Sequence, residues 1–296
     1  LAVRVLLFDS ARQLGLPPPA LLLAAAVWLL NFHGINMAVL WVSGRTALLA
    51  AHFSLASARA AFGRRPLGSG LLALAAMLSK EEAIALPALF TLDRILVERR
   101  AGATRTLVAL WIALLVYLAL RLQSGAFWPG DAPSFYQFSL APSIVGRNVL
   151  EYADRAGTVF VVVAALLVLF TRIRWPDLSP AERRVLGLAG LWIVAMYGLT
   201  MFLPVRSSLY ALLPSLGSAL ALGALASAGQ RRDVLRFRRA AIGCLVAAVV
   251  LVPVYRARNE RWVQLAELSE RVLRTVAADA ARQASGHIVL VDALDE

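Results

Sequence analysis

Cysteine, histidine and lysine are all scarce in this chain. The one cysteine, Cys244, rules out a disulfide framework. The three histidines, His33, His52 and His287, have no metal-ligand spacing, so a zinc site is not expected. No GxSxG, Walker loop, GxGxxG or HExxH occurs, which removes the common hydrolase, nucleotide and metalloprotease motifs. Charge is thin as well. Charged residues make up 16% of the chain, against about 25% in an average soluble domain. What fills the space is apolar: 60% of the 296 residues are hydrophobic, and mean hydropathy is +0.71. A water-soluble fold of this length has too little polar surface to cover such a core. The expected class is therefore an all-α polytopic membrane protein.

The charge that remains is one-sided. Thirty basic residues stand against 18 acidic ones, a net +12. In a membrane chain this reports cytoplasmic loops rather than a nucleic-acid partner. Lys80 is the one lysine, every other basic residue being arginine. Apolar runs cover 1–8, 17–32, 37–62, 67–79, 83–97, 105–123, 156–171, 185–204, 208–228 and 239–255, or about nine to ten membrane helices. Arginine clusters separate many of them, at 64–65, 94–105, 172–184 and 231–239. If the clusters are cytoplasmic, the segments between them are hairpins.

That rule decides the stretch 67–97. As one helix it would run about 46 Å at 1.5 Å per residue, past a hydrocarbon core of about 30 Å. Both its flanks are basic. Two shorter helices turning at Ser79-Lys80-Glu81-Glu82 fit better, with three charges at the extracytoplasmic end. Residues 34–43, 124–155 and 204–207 also face outward, and 124–155 reads as a long loop with an amphipathic stretch near 143–155. Residues 1–255 form the membrane domain. Residues 256–296 form an extracytoplasmic tail: an amphipathic helix over 257–283, then a strand from His287 to Asp292, the start of a small α/β domain. The chain opens at Leu1 inside an apolar helix pattern and reads as an internal piece of a longer protein.

Ionisable groups beside a membrane are costly and therefore candidates for function. Lys80, Glu81 and Glu82 read either as a polar cap between helices or as a site for a charged head group. Arg206, Ser207, Ser208 and Tyr210 open the next apolar run. They read either as an interface belt or as an anion site at a helix start. His33 and Asn36 lie near a turn, and Arg45 follows Ser43-Gly44. Asp131 lies in the long outward loop. The arginine-rich 231–239 segment suits contact with anionic lipid.

Three segments occur in a telling order: WVSGRTALLAAHFSL, then ALAAMLSKEEAIALPALFTLDRIL, then VRSSLYALLPSLGSAL. Together they resemble the GT-C superfold of polyprenyl-phosphate-sugar glycosyltransferases. The likeness is to bacterial relatives of the transmembrane, tetratricopeptide-repeat O-mannosyltransferases and covers about residues 1–255. The relatives often carry a His-Pro-x-His-x-Glu run where this chain has FHGINM, and a Glu where it has Val205. The resemblance implies inverting transfer of a sugar from a polyprenyl-phosphate carrier to a protein or glycan acceptor. The reaction would then take place on the extracytoplasmic face of the bacterial inner membrane. Arg206, Tyr210, Ser207 and Arg45 would then meet the lipid phosphate. Lys80, Glu81 and Glu82 would serve the catalytic centre, with Glu81 or Glu82 orienting Lys80 or a divalent ion. The family's acidic base would lie upstream of Leu1. A lipid-linked-substrate transporter and a non-catalytic membrane scaffold are the alternatives.

Overall fold

The computed structural model describes residues 13–31, 38, 44–98, 104–124, 136–205, 207–250 and 252–282. Helix dominates, and no strand occurs among the described residues. The strand expected from His287 lies outside them. The chain divides into two compact units, Leu1–Val246 and Ala247–Glu296.

In the first unit the helices are α1 (Pro18–Leu29), α2 (Arg45–Phe62), α3 (Pro66–Ser79), α4 (Leu86–Leu92), α5 (Thr104–Gln123), α6 (Pro142–Thr171), α7 (Pro180–Tyr197) and α8 (Leu212–Arg232). Helix α9 (Val234–Val250) follows. Prolines open α1, α3, α6 and α7, where a missing N–H costs no helical bond. Three helical segments are long and apolar enough to cross a membrane: Thr104–Gln123, Pro142–Thr171 and Ser208–Arg232. Helices α1 and α3 are apolar but shorter.

Helix α8 is the axis of the unit. It is buried over most of its length and packs on α7, α1 and α6. Its sequence is rich in Gly, Ala and Ser, which let helix backbones approach closely without relying on water to drive them together. A Cβ on Gly217 would lie 2.7 Å from Ile193 Cγ1 and 2.8 Å from the Ala189 carbonyl oxygen on α7. Two tryptophans lock onto the same helix. Trp28 Nε1 donates to Ser215 Oγ at 3.0 Å, and Trp192 Nε1 donates to the Leu213 carbonyl at 2.8 Å. Around this core, α5 and α6 carry Leu115, Leu122, Val161, Leu169 and Phe170 exposed, an outward apolar face of the kind that suits lipid.

The stretch 67–97 is broken at Lys80, whose backbone is extended (φ −161°, ψ 138°). A 3-10 segment (Glu81–Ala85), α4 and a π-helical segment (Asp93–Glu98) follow in one run. Two contacts fix its direction. Lys80 lies against Tyr210, just before α8, whereas Asp93 lies 3.6 Å from Arg184 near the start of α7. Helices α7 and α8 are antiparallel, because Glu182 near the start of one pairs with Arg231 near the end of the other. The run therefore descends from one end of the unit to the opposite end. Arg183, Arg184, Arg231 and Arg232 share that opposite, basic end, and Lys80 occupies the other.

Helix α6 begins well inside the segment expected as an outward loop, so 142–155 are its first turns rather than loop. The polar residues there serve the helix: Glu151 receives Arg147 at 3.0 Å and Arg155 at 3.1 Å, both four residues away. The second unit takes in the last residues of α9 and then α10 (Val252–Arg282), with Val263, Leu265, Leu268 and Val272 exposed.

Candidate functional site

The site is assembled at the Lys80 end from three parts of the chain. Ending α3 at an extended residue turns the Lys80 side chain out of the helical register. Its ammonium pairs with Glu82 Oε1 and stands 4.7 Å from the centroid of the Tyr210 ring. An ammonium has three N–H donors. One goes to Glu82 and the ring takes the cation's face, worth about 0.5–2 kcal/mol depending on desolvation. Donor capacity remains for an anionic oxygen.

Glu82 is 3% exposed. Its second oxygen, Oε2, is buried and has no hydrogen-bond partner among the described residues. Burial pushes the Glu82 carboxyl above its ordinary value, against the pull of the Lys80 charge and hydrogen bond. Its neighbour Glu81 is exposed.

Tyr210 is placed by a short 3-10 turn, Ser208–Ala211. Ser207 caps that turn: its Oγ accepts the Leu209 N–H at 3.2 Å. Behind Tyr210 lie two more tyrosines. Tyr152 meets its ring edge-on at 6.3 Å and stacks on Tyr197 at 5.0 Å. The Tyr197 hydroxyl donates to the Tyr152 carbonyl at 2.8 Å. Asn148 Nδ2, one turn earlier on α6, donates to the Met201 and Leu203 carbonyls at 2.9 and 2.8 Å. It thereby ties α6 to the connection that precedes Tyr210.

Of the expected site residues, Lys80, Glu82 and Tyr210 come together. Ser207 is adjacent in the cap, and Glu81 is beside them but turned to the surface. Arg45 is exposed on the first residue of α2. The hairpin of α2 and α3 brings it to the same end, without a described contact to Lys80. His33, Asn36, Asp131 and Arg206 lie outside the described residues. Among the described residues no three His, Cys, Asp or Glu side chains gather as a metal site requires. Tyr152, Tyr197 and Asn148 were not expected from sequence. The i, i+4 spacing of Asn148 and Tyr152 is their one local signal.

The basic end holds a second polar cluster. Glu182 is 1% exposed. It receives Arg231 Nε at 3.0 Å and Nη2 at 2.5 Å, Ser227 Oγ at 2.7 Å, and the Ser179 backbone N–H at 2.8 Å. The Ser179 Oγ accepts the Glu182 N–H in return, a capping box. Burial alone would raise the Glu182 carboxyl. The bonds from Arg231 and Ser227 outweigh it and hold the group below its usual range.

No family model, curated protein or solved structure matches this chain.

Proposed function

We propose that this chain is the membrane portion of a GT-C-like glycosyltransferase. It takes a sugar from a polyprenyl-phosphate carrier, with inversion, on the extracytoplasmic face of a bacterial inner membrane. The observation that carries this reading is the meeting of Lys80 with Tyr210. They belong to two of the three segments on which the resemblance rests, and they join at the end opposite the arginine clusters. By the positive-inside rule that end faces outward. There Lys80 meets the leaving phosphate and offsets its growing charge, and Tyr210 holds the ammonium in place. Arg206, four residues before Tyr210, adds a second cation from the same motif. The described ion pairs of the bundle lie near its two ends, Lys80–Glu82 at one and Asp93–Arg184 and Glu182–Arg231 at the other. A transporter would need them along a midplane path.

The test is transfer of labelled hexose from a polyprenyl-phosphate hexose in membranes holding the full-length protein. Lys80→Ala and Arg206→Ala are each expected to lower transfer by about 100-fold, the scale of losing one donor to a developing charge. Wild-type transfer in both variants refutes the assignment.

A further inference from the structure

In the Lys80 site a half-buried ammonium and a buried carboxylate stand together beside the Tyr210 ring. The groups facing Glu82 can be named. Its own segment supplies Lys80 and the exposed Glu81. Tyr210 faces it across the ring contact with Lys80. Behind Tyr210, α6 supplies Tyr152 and the outer pair of Glu151 with Arg155, and α7 supplies Tyr197. Lys80 is thus the cation that Glu82 meets among the described residues.

A phosphodiester docked on Lys80 brings a second negative charge to the ammonium that Glu82 holds. Two anions then compete for that ammonium in a water-poor place, and the field of the newcomer disfavours an ionised Glu82. Linkage makes the effect reciprocal: whatever raises the proton affinity of Glu82 is strengthened by its protonation. The unpartnered Oε2 marks where a proton can be held, because no existing hydrogen bond is broken by adding it.

We propose that Glu82 is a proton-uptake site coupled to anion binding, so that a phosphate group docking at Lys80 draws a proton from solvent onto the Glu82 carboxylate. The step forms one O–H bond, moves no electrons and leaves the phosphate intact. Once neutral, Glu82 releases its hold on the ammonium, which turns to the phosphate while keeping the Tyr210 face. Glu82 is then a positioning residue that makes Lys80 available only when an anion arrives. The inference rests on the reading of Lys80 as the phosphate contact.

The experiment is titration calorimetry of the 296-residue chain in nanodiscs of zwitterionic lipid. The probe is farnesyl methyl phosphodiester, which keeps a single negative charge at every pH tested. Binding enthalpy measured in two buffers of different ionisation enthalpy is expected to report uptake of up to one proton. Between the free-state and bound-state values of Glu82, Kd is expected to rise about tenfold per pH unit, and to level off on either side. Glu82→Gln, neutral at all pH, is expected to bind without a pH slope and as tightly as the wild type does at its acid limit. Proton uptake of zero at every pH, with binding still lost in Lys80→Ala, overturns the coupling but leaves Lys80 as the anion contact. A slope that persists in Glu82→Gln overturns it too. Equal binding by Lys80→Ala and wild type overturns both.

Discussion

Removing Arg231 should harm the protein more than neutralising the carboxylate it serves. Glu182 is 1% exposed, whereas the Arg231 side chain is 49% exposed. In Arg231→Ala the buried carboxylate keeps Ser227 and the Ser179 N–H but loses its cation and two of its four hydrogen bonds. Stranding a buried charge costs about 3–5 kcal/mol. In Glu182→Gln the freed guanidinium is already half in water and rehydrates, so the loss is nearer that of one or two ordinary hydrogen bonds, about 1–2 kcal/mol. Thermal unfolding of the detergent-solubilised chain near neutral pH should separate them. At roughly 2–4 °C per kcal/mol for domains of 150–250 residues, Arg231→Ala falls by about 6–20 °C and Glu182→Gln by less than half of that. The pH dependence has a definite sign. In the wild type the Glu182 carboxyl sits below its ordinary value of 4.5. Its contribution to stability is therefore fully present above that value and is lost as pH falls through the depressed folded value. In Arg231→Ala burial acts without its counterweight, the group protonates at higher pH, and the deficit against wild type narrows with acidification. Equal melting of the two variants at neutral pH, or an Arg231→Ala deficit that widens on acidification, refutes the reasoning.

Two further outcomes are expected. Gly217→Ala forces a Cβ against the α7 backbone and should destabilise by about 1–3 kcal/mol of over-packing, less about 1 kcal/mol gained in helix propensity. Gly190→Ala on α7, with nothing within 4 Å, should instead stabilise by up to about 1 kcal/mol, so unfolding curves that move the same way for both contradict the packing account. Asn148→Ala leaves two carbonyls without their donor and should cost about 1–3 kcal/mol, and proteolysis within residues 198–207 should quicken. An unchanged cleavage rate there would show that Asn148 does not hold that connection.

The break at Lys80 was legible because two independent constraints agreed, a helix too long for the bilayer and basic flanks on both sides. The meeting of Lys80 with the Tyr210 segment was legible only as motif order, since nothing in a linear pattern brings together residues so far apart. Tyr152 and Tyr197 were hidden because their roles arise from helix–helix contact, and each reads locally as an ordinary aromatic of an apolar helix. The start of α6 was read as loop because Arg147, Asn148, Glu151, Asp154 and Arg155 lower its apolarity. Their i, i+4 pairing is a helix signal that hydropathy does not register. Ser179-Pro-Ala-Glu182 carried a capping-box signature in plain view, but its second duty toward Arg231 comes from a helix about fifty residues later.

Helix α6 spans 30 residues, about 45 Å along its axis. Tilted by about 20° it still covers about 42 Å, some 12 Å more than the hydrocarbon core. In a bilayer with its surface at the Thr171 end, the surplus turns would be those with Arg147, Asn148 and Glu151, and Tyr152 would stand where the helix leaves the oily layer. The tyrosine platform under Lys80 would then stand at the height of the lipid head groups. Under the proposed function, a carrier anchored in the bilayer and an acceptor dissolved in water would reach that height from opposite sides, neither leaving its own phase.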